Sequence, residues 1–275
     1  MPSSPPLLFD TRQLSRQQAR AAPKLPEHRL LYDIAAASLC ERLAEIRRTF
    51  SRTLVLGDVF GVLGGTLGQE KNNCGEILSP KAADERVPEL DAPVDAVLAF
   101  MNLHTINDVP GYLRQCAQRL CPDGLFIAVC LGGESFTELR RAFLEADSQL
   151  YGRHVPRVAP MLDMRAAGGL LQRAGFALPM VDRETLTFSY SSLFALGREL
   201  RFMGLGNCLK ERSRHGMGKN VLASAQTLYP QDTNGFFPLT LELVTLTAWT
   251  PASSQPQPLA RGSARHSLAQ TLENL

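Results

Sequence analysis

No stretch of this sequence is apolar for long enough to cross a bilayer, and its start lacks the basic-then-apolar layout of a secretory signal, so a soluble protein is expected. Charge of one sign is missing too: 29 Lys and Arg face 27 Asp and Glu. The net of +2 advertises no global surface for nucleic acid or membrane, although local basic patches stay open. The six cysteines, Cys40, Cys74, Cys116, Cys121, Cys130 and Cys208, contain no CxxC pair. Scattered in this way, they read as reduced thiols of a cytoplasmic compartment rather than a disulfide frame or a zinc site. No internal repeat is present, and no His and carboxylate spacing would ligate a metal. Arg12, Arg16 and Arg20 recur at helical intervals, which reads as a solvated helix face or as organelle targeting.

What is there is a core. A chain of 275 residues with 44% apolar side chains suffices for one large domain, or a domain with a lid. Residues 1–28, with their Pro and Gln, read as an arm that packs late or partly, 29–250 as the domain, and the Pro-, Ser- and Gln-rich stretch 251–275 as a tail. Leu31, Ile34, Leu39, Leu43, Ile46 and Phe50 share a helical face, which predicts a helix over 30–50. "TLVLG" (53–57) predicts a short buried strand closed by glycine, and Val94 to Phe100 a second. Asn107 or Asp108 can cap a helix that carries Pro110 in its first turn, stopped by "CPDG". Leu125–Leu131 predicts a third buried strand, and 134–151 another helix. Strand and helix alternating at this spacing imply crossovers on a parallel sheet. Farther on, 163–174 reads as a short helix, 184–190 and 240–249 as strands with one wet face, and 191–228 as two helical pieces.

Four segments together carry a resemblance: "LHTINDVP", "GGESFTELR", "MGLGNCLKERSRHGM" and "RGSARHSL". Residues 94–140, from "VDAVLAFMNLH" to "GGESFTELR", resemble the second half of a class I S-adenosylmethionine-dependent methyltransferase, and the four segments, with "FDTRQLSRQQARAA" near the start, extend a narrower resemblance over nearly the whole chain. More narrowly, the chain resembles the methyltransferase-like assembly factors of respiratory complex I, a family regarded as protein-arginine hydroxylases. The resemblance implies an α/β, Rossmann-like fold with a mostly parallel sheet and a helical lid at about 191–228 before the last strand. It also implies adenosylmethionine as cofactor, held near Gly57, Asp58, Gly61, Glu76, Leu103 and His104. The implied partner is a protein, in particular a complex I subunit modified on arginine, with no nucleic acid and no membrane span. The implied place is a bacterial cytoplasm or, as an alternative, the mitochondrial matrix.

"TLVLGDVFGVLGG" (53–65) departs from the family's first motif, an acid followed by glycines at alternate positions. Gly57 and Gly61 keep the first and third glycines, whereas Val59 takes the second and Val55 the acidic place. A β-branched residue costs on the order of a kilocalorie or more where a turn needs positive φ, and it fills cofactor space. Only 32 residues separate Gly61 from Val94, where two further strands with their helices need roughly 50. The sheet is therefore expected to be shortened between its first and fourth strands. Two functions follow: an adenosylmethionine-dependent enzyme acting on a protein, or a non-catalytic assembly factor that has lost the cofactor.

Individual residues keep two readings each. His104 follows a strand end, where open α/β sheets place ligands, and serves as a catalytic candidate or as a loop anchor. Asn207, the other catalytic candidate, forms a polar cluster with Cys208, Arg212, Arg214 and His215 that meets a protein substrate or is a solvated face. Asn107 and Asp108 read as caps, Glu134 as a residue favoured by a helix dipole, and Cys208 as a half-buried thiol.

Overall fold

The computed structural model describes residues 7–69, 73–80, 85–213 and 216–256. Arg214, His215 and the "RGSARHSL" segment lie outside them. Along the chain run α1 (Thr11–Ala21), α2 (Leu30–Glu45), β1 (Phe50–Leu56), α3 (Val62–Gln69), β2 (Cys74–Leu78), β3 (Val94–Phe100) and α4 (Val109–Arg119). They are followed by β4 (Leu120–Leu131), α5 (Thr137–Tyr151), α6 (Met164–Arg173), β5 (Ala177–Tyr190), α7 (Leu193–Phe202), α8 (Lys219–Leu228) and β6 (Phe237–Trp249).

The strands form one sheet in the order β2-β1-β3-β4-β6-β5. β2, β1, β3 and β4 are mutually parallel, and β6 runs antiparallel to both β4 and β5. This is the Rossmann-like methyltransferase architecture, with helices covering both faces of a mostly parallel sheet. Alternation along each strand divides the core in two. Phe50, Val55, Leu98, Phe100, Ile127 and Val129 pack towards α2, α3, α5, α7 and α8. Leu54, Val97, Ala99, Phe126, Ala128 and Cys130 pack towards α4 and α6.

Local chemistry sets the helix starts. Asp10, Asp108, Asp163 and Ser192 each accept a backbone N–H from the first turn of α1, α4, α6 and α7, which satisfies a donor that the helix leaves free. Asp108, and not Asn107, is the cap of α4. Between Gly61 and Val94 the described residues hold one helix and one strand, so the sheet is short on this side and β2 is its edge. The helical lid is present as α7 and α8, between β5 and β6.

Several boundaries differ from the sequence reading. α2 ends at Glu45, and Phe50 opens β1 instead of closing the helix. "CPDG" is part of β4, which begins at Leu120 and shifts register against β3 where Asp123 takes a positive φ of 59°. α5 begins at Thr137, because 132–136 turn back through a left-handed Phe136, φ 63°. Glu134 is thus not in a helical turn, and its N–H donates to Glu242. β6 has neither face wet: flanked by β4 and β5, it is buried along most of its length.

Candidate functional site

The C-terminal ends of β1, β3 and β4 meet on one edge of the sheet, where open α/β folds put their ligands. Gly57 ends β1 with φ 80°, and Gly61 turns into α3 with φ 70°. A Cβ on Gly57 would lie 2.5 Å from the Phe100 carbonyl oxygen and 2.6 Å from Asn102 Cβ. Glycine is needed there because the protein's own β3 loop comes so close. Asp58 accepts from Gly64 N–H at 2.8 Å and so caps α3. Its other oxygen and Asn102 Oδ1 are buried without a partner among the described residues. Val59 is partly exposed, and Phe60 turns its ring edge-on to Tyr32, with centroids 5.3 Å apart.

These residues do not fit adenosylmethionine as they stand. Val55, at the acidic position, is buried in the core. Asn102 occupies the space before Gly57. Glu76 is level with Arg52 in the sheet and bonded to it at 3.1 Å, five residues short of Gly57. At about 3.3 Å per residue, that sets Glu76 about 16 Å from the loop. The structure therefore brings Gly57, Asp58 and Gly61 together and leaves Glu76 apart. Leu103 is buried in the core under α4, with no face on the edge cavities described below.

His104 is buried, and burial pushes its pKa down to about 4, so the imidazole is neutral at physiological pH. Nδ1 accepts from the Leu131 N–H at 3.4 Å, which leaves the proton on Nε2. It lines a small pocket of about 40 Å³ together with Gln18, Tyr32, Thr105, Phe136 and Cys208. That pocket shares Phe136, Ala159, Met161, Leu205 and Gly206 with a far larger cavity of about 480 Å³.

The larger cavity lies between α1, α5, α7 and the turns at 157–161 and 205–207. Its lining is apolar within, with Phe136, Leu139, Phe143, Leu196 and Leu200, and polar on α1, with Gln13, Gln17 and Arg20. α1 is fastened over it from several sides. Asp10 N–H donates to the Cys208 carbonyl at 2.8 Å, Lys210 N–H to the Leu8 carbonyl at 2.8 Å, and Arg212 pairs with Asp10 at 3.0 Å. The Asn107 side chain holds both backbone groups of Phe9, at 2.8 and 3.3 Å.

Asn207 also lines this cavity, but its side chain is engaged. It accepts from Leu209 N–H at 2.9 Å and donates to the Pro156 carbonyl at 2.8 Å, while its own carbonyl accepts from Gln17 Nε2 at 2.9 Å. The Gln17 and Gln18 amide oxygens are buried without a partner among the described residues. Cys208 is buried, and desolvation raises its thiol to about 11, so it carries no thiolate near neutrality. The described residues contain no group of three or more His, Cys, Asp or Glu placed to hold a metal ion.

No protein-family model matches the chain. It is 34% identical over 191 residues to "Arginine-hydroxylase NDUFAF5, mitochondrial" of Danio rerio, a match covering 68% of this chain and 59% of that protein. Against the Homo sapiens protein of the same name it is 29% identical over 281 residues, 94% of this chain and 81% of the relative. It is 32% identical over 177 residues to the malonyl-[acyl-carrier protein] O-methyltransferase of Xylella fastidiosa, covering 64% and 57% of the two chains. The chain is a homologue of both groups. It spans less than two thirds of the zebrafish relative and 41% of a Dictyostelium discoideum one. Among solved structures, the N-methyltransferase NodS of Bradyrhizobium japonicum with bound S-adenosylhomocysteine is 12% identical with a TM-score of 0.46, covering 88% of this chain and 98% of that one.

The two cavities are lined by residues that the sequence did not single out: Gln13, Gln17 and Gln18 on α1, Phe136 after β4 and Arg157 beyond α5. The signal for the first three was available. Asp10 caps α1, and Gln13 and Gln17 fall on one helical face with Gln18 beside them, next to the arginines read as a solvated stripe.

Proposed function

We propose that the chain acts on a protein, a respiratory complex I subunit, by receiving one of its arginine side chains in the cavity under α1 and α7. The amide oxygens of Gln17, in that cavity, and of Gln18, in the small pocket that adjoins it, carry this reading, being buried without a partner among the described residues. A buried acceptor left unmatched costs about 1–3 kcal/mol, which a ligand bringing donors recovers. Arginine supplies an apolar stem for Phe136, Leu139 and Leu200 and five N–H donors at its tip. Neutral His104 adds no charge against it. The relatives named arginine-hydroxylase agree with that choice of side chain. The working place in this reading is wherever the complex is assembled, a bacterial cytoplasm or a mitochondrial matrix. No described helix is long and apolar enough to cross a membrane.

A second reading has its own observation. Val55 in the core and Asn102 against Gly57 favour a factor that binds the same segment and leaves it unmodified. Calorimetric titration with an arginine-containing peptide and its Arg-to-Gln counterpart tests the shared part. Binding should depend on the arginine and weaken in Gln17→Leu and Gln18→Leu; equal binding of the two peptides overturns the reading. Intact-mass analysis of the arginine peptide after incubation, with and without adenosylmethionine, then separates modification from binding alone.

A further inference from the structure

Two arginines at the cavity have nothing to answer them. Arg20 on α1 and Arg201 on α7 both line it and are exposed. Neither has an acidic partner among the described residues, and Arg20 only donates to the Arg16 carbonyl at 3.1 Å. The third arginine in the lining differs: Arg157 is matched by Asp147 through two bonds of 2.7 and 2.8 Å. The elements bearing the other two supply no neutralising charge. α1 contains no acid at all, and Glu199, the one acid of α7, is taken by His28 at 2.7 Å. Asp10, next to α1, is taken by Arg212. The mouth is therefore cationic on a chain whose charge is nearly balanced.

A cationic mouth opposes the entry of a guanidinium unless the ligand brings its own anions. We infer that the recognised segment is acidic on either side of its arginine, with Arg20 and Arg201 holding the flanking carboxylates. This rests on the arginine reading of the same cavity, and it specifies the partner's chemistry beyond it: an acidic peptide, not merely an arginine. Arginine suits the mouth because its planar fork meets a carboxylate with two parallel bonds. Lacking an acidic partner among the described residues, each side chain forms the pair with no ion pair to break.

The test uses the whole chain and three fluorescent peptides of equal length, arginine with aspartate on both sides, arginine with alanine on both sides, and the aspartate peptide with glutamine replacing arginine, with a fourth, lysine-flanked arginine peptide for the charge-reversed variant. Binding is read by anisotropy in 20 and 200 mM salt. At low salt the acidic peptide should bind about fivefold tighter than the alanine one, and salt should shrink the difference. The double variant Arg20→Glu, Arg201→Glu should lose that preference and gain one for a lysine-flanked arginine peptide. Both positions are exposed, and a thermal melt confirms that the variant folds. Equal binding of acidic and alanine peptides, or an unchanged preference in the double variant, overturns the inference and leaves the arginine pocket standing. If the glutamine peptide binds as well as its arginine parent and remains sensitive to the charge reversal, the cationic mouth for acidic segments stands and the arginine pocket falls. Binding to phosphatidylglycerol vesicles that displaces all three peptides would make the mouth a lipid-binding surface and overturn the inference.

Discussion

Asp147 is fully buried on α5, and its carboxylate holds Arg157 through both oxygens at 2.7 and 2.8 Å. Arg157 is itself only 13% exposed and lies over the Phe143 ring, 5.8 Å from its centroid, in the wall of the large cavity. Replacing Asp147 with alanine removes the only countercharge among the described residues and leaves a nearly buried guanidinium without its acceptor. Breaking a buried pair in this way costs about 3–5 kcal/mol. For a chain of this size the melting temperature should fall by roughly 10 °C. Urea unfolding followed by far-ultraviolet circular dichroism measures the change. Asp147→Asn separates shape from charge, since it keeps the volume and one acceptor. Arg157→Met in the Asp147→Ala background removes the stranded charge and keeps an apolar stem over Phe143, so it should restore at least half of the lost stability. A loss below about 1 kcal/mol for Asp147→Ala, or a double variant no better than the single one, would refute the reasoning.

His104 gives a pH dependence. Its folded pKa of about 4 is depressed below the unfolded value of about 6.5, so the unfolded chain takes up the extra proton as pH falls between the two. Stability should therefore be full above pH ~6.5 and decline towards pH ~4 by about 3 kcal/mol in all. His104→Gln should flatten that part of the profile, and an unchanged slope would count against a buried neutral imidazole. Gly57→Ala combines a positive φ with a 2.5 Å approach to the Phe100 carbonyl, so a loss of about 1–3 kcal/mol is expected in the same unfolding assay; a neutral result would mean the β1 and β3 loops part easily. Cys208, buried with its thiol raised to about 11, should resist a thiol reagent at pH 8 in the native protein and react after denaturation; fast native labelling would contradict this burial.

The elements that were readable share one property: their signal is local. Val94–Phe100 is apolar at every position but Asp95, on a doubly covered strand, and its predicted bounds match the structure. Asp108 with Pro110 set the start of α4 by capping chemistry that needs no distant partner. The short interval between Gly61 and Val94 foretold a shortened sheet by chain length alone. Boundaries failed where a neighbour overrode the local signal. Apolar Ile46 and Phe50 extended a helical pattern past Glu45, but Phe50 pairs in register with Cys74. The prolyl turn in "CPDG" reads as a stop, yet β3 and β4 carry the pairing across it by a register shift.

The sequence by itself determined that this chain alternates strands and helices, that Gly57 and Gly61 keep two glycines in the loop after β1, and that Val55 and Val59 stand in places the resembled family's first motif reserves for other residues. All of that follows from side-chain period and backbone sterics, which act over a few residues. Only the tertiary structure decided that Glu76 pairs with Arg52 far from the loop, that Asn102 fills the space before Gly57, and that α1 closes over a cavity between α5 and α7. Those facts depend on strand register and on contacts between residues such as Phe9 and Asn107, 98 positions apart, which no local pattern encodes.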